Sequence, residues 1–253
     1  MREPAYYIKT PAQIEGIKKA GIIIYEMFEE LETWLKPGLR TIEIEKFCRK
    51  FIEERGAIPA FAKVPGYKHA TCISINEEVV HGIPSHKKKI KEGDIVSIDA
   101  GTILNGYYGD TCRTFAIGKV SRKARKLMNV TKEALERGIQ QAVIGNRLGD
   151  IGHAIQSYAE KNGFSVVRDF VGHGVGLKLH EPPQVMHYGR PNTGIKIVEG
   201  MVIAIEPMIN EGTWRVKILK DGWTAITTDH KLSAQYEHSV AITKEGPVVT
   251  TRP

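Results

Sequence analysis

A nine-residue segment occurs twice in this chain and constrains its fold more than any other feature. Lys91-Glu-Gly-Asp-Ile-Val-Ser-Ile-Asp99 aligns with Val198-Glu-Gly-Met-Val-Ile-Ala-Ile-Glu206, so that Glu-Gly, an apolar run and a terminal carboxylate recur. The terminal positions, 99 and 206, are 107 residues apart. Such a repeat predicts two similar halves that face each other across a pseudo-twofold axis. Each half would contribute a carboxylate to the interface between them. We expect a single duplicated domain over residues 1–253, with halves of approximately 1–118 and 119–253.

A β-hairpin is predicted around the first copy of the repeat. The apolar run at 95–98 indicates a buried strand, and the run ends in the charged residue Asp99. Asn105-Gly106 is the strongest short hairpin signal, because both residues tolerate positive φ. With those two residues as the turn, the predicted cross-strand pairs are Leu104 with Tyr107, Gly101 with Asp110, and Asp99 with Cys112.

This register makes Asp99 and Asp110 diagonal neighbours on one face, roughly 7–8 Å apart between backbone positions. Two carboxylates held this close repel each other unless a proton or a metal lies between them. The pair therefore favours a cation site. The hairpin alone equally allows a structural interpretation, in which Asp110 ends a strand and Asp99 caps a turn.

Composition restricts the class of protein. A chain of 253 residues with 42% hydrophobic content can bury a substantial core. The three cysteines, Cys48, Cys72 and Cys112, lack CxxC spacing, so neither a disulfide framework nor a structural zinc site is indicated. We see no signal peptide and no apolar run of membrane-spanning length, and we expect a cytoplasmic protein without a membrane partner.

The net charge of +7 and the pI near 9.2 allow contact with an acidic partner. The densest basic run covers residues 86–91, and runs of this kind are usually solvated loops. The alternative is a weak electrostatic contact with RNA, for example at a ribosome. Because no nucleic-acid-binding motif accompanies the run, we expect no specific nucleic-acid partner.

Two helices followed by strands are predicted in each half. The helix signals are capping residues, apolar residues at helical spacing and terminal Pro or Gly residues. We expect helices from Thr10-Pro11 to Pro37-Gly38, from Thr41 to Gly56, from a cap at Ser121, and from a cap at Asp150 to Asn162-Gly163. The expected strands are Thr71–Ile75, Val79–Pro84 including His81, Trp214–Leu219 and Thr224–Thr228 around Asp221-Gly222, and Gln235–Ile242 including Glu237.

Two histidines follow in the segment Phe170–Tyr188. Glycines flank His173 and allow close backbone approach to a ligand, whereas prolines keep the chain after His180 extended. Imidazole binds metals and also donates hydrogen bonds to oxyanions, so one histidine can bind metal while the other meets substrate. Taken singly, His81 has the pattern of a core histidine and Glu237 that of a solvent-facing strand residue.

Five residues in chain order resemble the dimetal ligand set of methionine aminopeptidases, most closely the short type I form: Asp99, Asp110, His173, Glu206 and Glu237. The segment Phe170–Tyr188 matches the aromatic-x-Gly-His-Gly signature through to its terminal His-Tyr, and Gln235–His238 matches the last ligand strand. The resemblance covers roughly residues 8 to 245. It implies the α+β pita-bread fold, with pseudo-twofold duplicated antiparallel sheets, outer helices and a metal site between the sheets.

The same resemblance implies removal of the N-terminal methionine from nascent polypeptides, preferably before a small residue, by hydroxide attack from a dinuclear metal centre. Asp99 would bind one ion, and His173 and Glu206 would mainly bind the other. Asp110 and Glu237 would bridge the two. Co, Mn, Fe, Zn or Ni could serve, and an oxygen-rich set with one histidine suits the harder ions Mn(II), Fe(II) and Co(II).

Catalytic and substrate-binding roles also follow from the resemblance. His180 would stabilise the tetrahedral intermediate, His81 would contact the substrate amide, and Glu206 would shuttle the proton. The methionine side chain would occupy an apolar pocket that suits a flexible thioether, formed by Tyr67, Cys72 and Trp223. We expect the protein to act as a monomer on nascent N-termini.

One segment departs from the family pattern. Where many members have Gly-Tyr-x-Gly-Tyr, this chain has Lys63-Val64-Pro65-Gly66-Tyr67, which lacks the first aromatic residue. The change affects the outer wall of the pocket and therefore the tightness of methionine selection. It leaves the metal ligands intact.

Two other functions remain open at this point. An Xaa-Pro aminopeptidase or prolidase shares the fold but normally carries a large extra N-terminal domain, whereas about 70 residues precede the first expected strand here. An inactive pita-bread protein that binds peptides or RNA would be expected to lose ligands, and all five positions are filled here.

Overall fold

Four α-helices lie within residues 4–253, the part of the chain that this computed structural model describes. They are α1 (Pro11–Trp34), α2 (Thr41–Glu54), α3 (Arg122–Gln141) and α4 (Leu148–Lys161). None of them is long and apolar enough to cross a membrane.

Local capping chemistry starts these helices. The Thr10 hydroxyl accepts the Gln13 N–H, and the Gln13 side chain accepts the Thr10 N–H, which is the predicted capping box of α1. Ser121 caps α3 as predicted. The predicted cap at Asp150 is wrong: α4 begins at Leu148 with Arg147 as its N-cap, and Asp150 is the third residue of the helix. Asp150 instead accepts the Arg147 N–H at 2.7 Å, because it is the acidic partner of a capping box.

Short strands follow the helices in each half. The first half contains β1 (Ile58–Pro59), β2 (Thr71–Ile75), β3 (Glu78–Val80), β4 (Ile95–Leu104) and β5 (Tyr107–Ala116). The second contains β6 (Ser165–Val166), β7 (Gly172–Gly174), β8 (Glu181–Val185), β9 (Val202–Ile205), β10 (Met208–Asn210), β11 (Val216–Ile218), β12 (Ala225–Thr227), β13 (Ser233–Gln235), β14 (His238–Thr243) and β15 (Gly246–Val249).

The strands form antiparallel sheets. In one sheet, β4 pairs with β1, β2 and β5, and the five-stranded sheet has the order β15-β14-β9-β7-β8. Two three-stranded sheets, β13-β10-β6 and β11-β12-β3, complete the described topology. One apolar cluster packs α1 and α2 against β4, and another packs α3 and α4 against β9 and β14.

The hairpin β4–β5 has the predicted register. Asn105 and Gly106 adopt φ values of 52° and 83°, as a tight turn with two left-handed residues requires. Gly101 pairs with Asp110 and Asp99 with Cys112. A local turn thus fixes the relative position of the two aspartates.

Two predicted strands differ from the observed ones. β3 ends at Val80 because His81 is left-handed, with φ of 59°, and cannot continue a strand. The expected strand Gln235–Ile242 is divided, since β13 pairs with β10 whereas β14 pairs with β9. Glu237 lies in the break, where the chain passes from one sheet to the other.

The two halves also match in structure at the spacing of the sequence repeat. α2 and α4 begin at residues 41 and 148 and end at residues 54 and 161, so both ends are 107 positions apart. The isolated bridges Arg40–Lys89 and Arg147–Lys196 obey the same spacing. These matches support our proposal of one domain with two repeated halves.

Candidate metal centre and active site

A cavity of about 540 Å³ lies where the hairpin β4–β5 meets the strands of the second half. All five residues of the expected ligand set line it: Asp99, Asp110, His173, Glu206 and Glu237. The structure therefore brings together side chains that are spread over more than half of the sequence. Their roles as ligands remain a prediction.

Asp110 is buried in this cavity, and the Oδ1 atom of Asp99 is buried beside it. Asp110 is 3% exposed, and its Oδ1 atom finds no hydrogen-bond partner among residues 4–253; the same holds for Oδ1 of Asp99. Burial raises the pKa of Asp99 to about 7. Burial, followed by the charges of Asp99 and Glu206, raises the pKa of Asp110 well above its usual range.

Glu237 reaches the cavity because of the strand break. Its N–H donates to the carbonyl of Cys112 on β5 at 2.9 Å, which holds the break against the hairpin. The side chain is 3% exposed, and within the described chain its Oε1 has no hydrogen-bond partner. Burial and the charge of Asp110 raise the pKa of Glu237.

Glu206 follows β9 and is held at both its backbone and its side chain. Its N–H donates to Nε2 of His187 at 3.0 Å, and its Oε2 accepts from Nε2 of Gln235 at 3.3 Å. Burial and the charge of Asp99 raise the pKa of Glu206, whereas the Gln235 hydrogen bond opposes that shift.

The His173 ring has a fixed orientation and is neutral. Its Nδ1 lies 2.9 Å from the Gly174 carbonyl, which only accepts, so Nδ1 carries the proton and Nε2 presents a lone pair. Nε2 lies 3.5 Å from Oε1 of Glu206 and 3.7 Å from Oδ2 of Asp110. Burial, with the neighbouring His180, lowers the pKa of His173 to about 4, so the ring is neutral near pH 7.

The donor set fits a divalent cation. Asp110, His173 and Glu237 each offer a ligand atom, and these atoms all lie within 4.8 Å of one another. Asp99 and Glu206 adjoin this group in the same cavity. Buried carboxylates with unpartnered oxygens repel one another, and positive charge between them would satisfy both the oxygens and the charge.

Two further histidines line the cavity. The His180 ring meets His173 edge-on, with centroids 4.5 Å apart, and burial lowers the pKa of His180. His81 packs edge-on against Phe170 at 5.4 Å, and burial and the neighbouring His180 lower its pKa. Lowered pKa values favour neutral rings, which can donate a hydrogen bond to a substrate.

The three expected pocket residues are also together. The Tyr67 and Trp223 rings lie 5.0 Å apart, and the Tyr67 hydroxyl donates to the Thr71 carbonyl at 2.8 Å. Cys72, opposite Asp99 in the β2–β4 pairing, is 5% exposed. The pocket is therefore apolar up to the edge of the carboxylate cluster.

Several functional neighbours were not expected from the sequence. Phe61 and Leu179 pack in one cluster with Tyr67 and Cys72, and Val64 lies against that cluster at the segment that departs from the family pattern. Phe61 thus adds an aromatic ring to this wall. Gln235 and His187 lie within the matched motifs, but the sequence assigned them no role. The tertiary structure shows that both form hydrogen bonds with Glu206.

Comparisons with known proteins agree with this geometry. The profile of metallopeptidase family M24 matches residues 15–244. The methionine aminopeptidase of Clostridium acetobutylicum is 50% identical over 244 residues, which are 96% of this chain and 98% of that protein. The crystal structure of methionine aminopeptidase from Thermotoga maritima superposes with a TM-score of 0.96 and 45% identity, covering 98% of this chain and 100% of that one. The prolidase of Pyrococcus furiosus has a TM-score of 0.77 and 28% identity, covering 97% of this chain and 65% of that one.

Proposed function

Because the chain belongs to metallopeptidase family M24 and to its methionine aminopeptidases, we propose that it removes the N-terminal methionine from polypeptides. It is a metal-dependent aminopeptidase with the α+β pita-bread fold. The observation that carries the proposal is the cavity in which buried carboxylates and one neutral imidazole converge beside an apolar pocket. The substrates would be nascent chains with a small second residue.

The carboxylate cluster would hold two divalent ions. Asp99 would hold one ion, His173 and Glu206 would mainly hold the other, and Asp110 and Glu237 would serve both. An oxygen-rich set with one imidazole favours Mn(II), Fe(II) or Co(II), with Zn and Ni as further candidates. When bound, such ions would polarise the scissile carbonyl and lower the pKa of water.

Glu206 is the proposed proton carrier. As the C–O bond forms, Oε1 would take the proton of the attacking water, and it would deliver that proton to the amide nitrogen as the C–N bond breaks. The Gln235 hydrogen bond would keep Oε2 in place meanwhile.

His180 and His81 would handle the substrate backbone. A ring N–H of His180 would donate to the oxyanion that develops on the scissile carbonyl, a contact of the kind typically worth about 10²–10³ in turnover. His81 would contact the substrate amide. The lowered pKa values of both histidines favour neutral rings, each of which has one N–H group to donate.

The apolar pocket would select methionine. Full burial of a methionine side chain contributes about 1.5–3 kcal/mol. Tyr67, Cys72 and Trp223 would contact the thioether, while Val64 and Phe61 would shape the outer wall. The wall differs in chemistry from the two-tyrosine pattern, and selectivity should differ with it.

Peptide cleavage tests this assignment. On protein reconstituted with Mn(II) or Co(II), we expect cleavage of Met-Ala-Ser and none of Ala-Pro-Ala. Cleavage of the Xaa-Pro bond alone would instead indicate a prolidase-like enzyme. Asp110→Ala serves as the control for contaminating peptidases, because it lacks a proposed ligand.

We further propose that the protein acts as a monomer in the cytoplasm, on chains emerging from the ribosome. The basic run at 86–91 is largely exposed, although Lys88 pairs with Glu78 at 2.7 Å. A contact of this run with ribosomal RNA would be weak and would disappear at higher salt. Cosedimentation with ribosomes at two salt concentrations would test it.

A further inference from the structure

The loop that carries His180 runs between β7 and β8, and its two ends are joined by strand pairing. We call residues 175–180 the His180 loop. Gly174 before it pairs with Glu181 after it. This pairing fixes where the loop starts and ends, but the direction of the His180 ring depends on how the residues between them are held.

Glu181 holds the loop from inside. Its side chain is 1% exposed, and its Oε1 accepts the N–H groups of Leu177 at 2.7 Å and Lys178 at 2.8 Å. Its Oε2 accepts from Nζ of Lys9, whose side chain is also 1% exposed. One carboxylate thus closes the loop and binds a residue 172 positions away.

Lys9 anchors this carboxylate to the body of the protein. The residue lies just before α1, and its backbone N–H donates to the Gly200 carbonyl at 2.7 Å. Gly200 belongs to the second copy of the sequence repeat, which leads into Glu206. Separating the two members of a buried ion pair leaves each charge without a partner in a desolvated site. This is energetically costly, so the pair keeps Lys9 and Glu181 together.

The hairpin and α1 support the same loop from outside. The Tyr108 N–H on β5 donates to the Gly176 carbonyl at 2.8 Å. Gly176 has φ of 136°, and a Cβ atom there would collide with the side chain of Ile17 on α1. A glycine is therefore required, and the loop lies tightly between α1 and the active-site strands.

From these contacts we propose that Lys9 and Glu181 are positioning residues, whose buried ion pair holds the His180 loop so that the His180 ring faces the reacting carbonyl. The inference rests on the proposed function, which gives His180 its role. The pair would act through His180 and not on the substrate directly. Loosening it should lower kcat, because small displacements of a catalytic group are costly, whereas substrate binding in the apolar pocket should remain.

A double-mutant cycle tests this coupling. The variants are Lys9→Met, His180→Ala and their combination, with kcat and KM measured on Met-Ala-Ser after Mn(II) reconstitution. We expect Lys9→Met to lower kcat about tenfold and to change KM by less than about twofold. In the His180→Ala background Lys9→Met should change kcat by less than about twofold, because the imidazole ring that the ion pair positions is absent.

Amide hydrogen exchange gives a readout that does not depend on activity. Lys9→Met should speed exchange at Leu177 and Lys178, whose N–H groups bind Glu181, and should leave β4–β5 unchanged apart from Tyr108, whose N–H binds the loop. Arg252→Met is a matched control, because Arg252 pairs with Glu136 outside the cavity lining. It removes a cation from a more exposed ion pair and should leave kcat and loop exchange unaltered.

If Lys9→Met does not fold, Glu181→Gln carries the same test. Its amide oxygen can still accept the Leu177 and Lys178 N–H groups while the charge that binds Lys9 is lost. A smaller loss of kcat, about threefold and again absent with His180→Ala, is then expected.

Equal losses of kcat in the two backgrounds, or unchanged exchange at Leu177 and Lys178, would overturn the inference. A His180→Ala enzyme with parental kcat would refute the proposed function of His180 instead. In that case the exchange data alone would decide whether the pair holds the loop.

Discussion

In metal-stripped protein, Asp99 should contribute a loss of stability as the pH rises from about 4 to about 7. Burial raises the pKa of Asp99 from 3.8 to about 7. In this range the folded protein keeps a proton on Asp99 that the unfolded chain has already released. Because the folded state binds more protons, every increase in pH within the window favours unfolding.

The expected loss is large. The two pKa values of Asp99 differ by about three, and at 1.36 kcal/mol per pKa unit this corresponds to about 4 kcal/mol. The penalty is absent at pH values below the ordinary pKa of an aspartate and complete above pH 7 or so. Small proteins have a free energy of unfolding of about 5–15 kcal/mol, so the effect is readily measured.

Buried histidines contribute the opposite slope and must be separated from this effect. Burial lowers the pKa of His173 to about 4 and that of His187 to about 3. Each is neutral when folded and takes up a proton on unfolding below about pH 6.5, so its contribution to stability is lost as the pH falls. The free energy of unfolding of the parent protein therefore depends on pH through opposing contributions from Asp99 and the histidines.

Asp99→Asn isolates the carboxyl group, because the variant retains the histidines. We would measure urea unfolding of both chelator-treated proteins between about pH 4 and pH 8. The free energy of unfolding of the variant, relative to the parent, should rise by about 4 kcal/mol from the acid to the neutral end. A relative stability that does not change with pH would refute the reasoning.

Asp150→Asn supplies a control of opposite sign. The N–H groups of Asn192 and Arg147 donate to Asp150 and hold its pKa below the usual range. Its stabilising contribution is present at neutral pH and is lost as the pH falls through its folded pKa. When the measurement is extended down to about pH 2, the stability of this variant relative to the parent should therefore fall, not rise, towards neutral pH.

Three further substitutions give separate predictions. His180→Ala should lower kcat about 10²–10³-fold, as loss of an oxyanion donor does, while metal content measured by atomic absorption stays parental. Gln235→Met removes the hydrogen bond that holds Oε2 of Glu206, so kcat on Met-Ala-Ser should fall, and an unchanged kcat would remove Gln235 from the positioning of Glu206. Val64→Tyr restores an aromatic wall, and kcat/KM for Met-Ala-Ser over Leu-Ala-Ser should rise, by up to about tenfold; an unchanged ratio would remove Val64 from selection.

The sequence predicted the parts of the site that local geometry determines. Asn105-Gly106 specifies its own turn, and the pairing that follows places Asp99 and Asp110 without reference to the rest of the chain. The repeat likewise pointed to Glu206 as the counterpart of Asp99. The ligand set then followed from the resemblance, because the motifs occur in order along nearly the whole chain.

Features that depend on tertiary contacts escaped prediction. Nothing local distinguishes a divided strand from a continuous one at Glu237, since the break exists only because β13 and β14 join different sheets. Asp150 has the residue type of an N-cap and also that of a capping-box acid, and the contact with Asn192 accompanies the second role. Lys9 and Glu181 are 172 positions apart, and no spacing rule connects them.

Metal uptake tests the central claim most directly. Chelator-stripped protein should bind Mn(II) or Co(II) in a calorimetric titration and release protons as the raised carboxyl groups ionise. Asp110→Ala, which lacks a carboxylate at the centre of the cluster, should lose tight binding. If the parent protein takes up neither ion, or if Asp110→Ala binds as tightly as the parent, these carboxylates do not form a metal centre and the proposed peptidase mechanism fails.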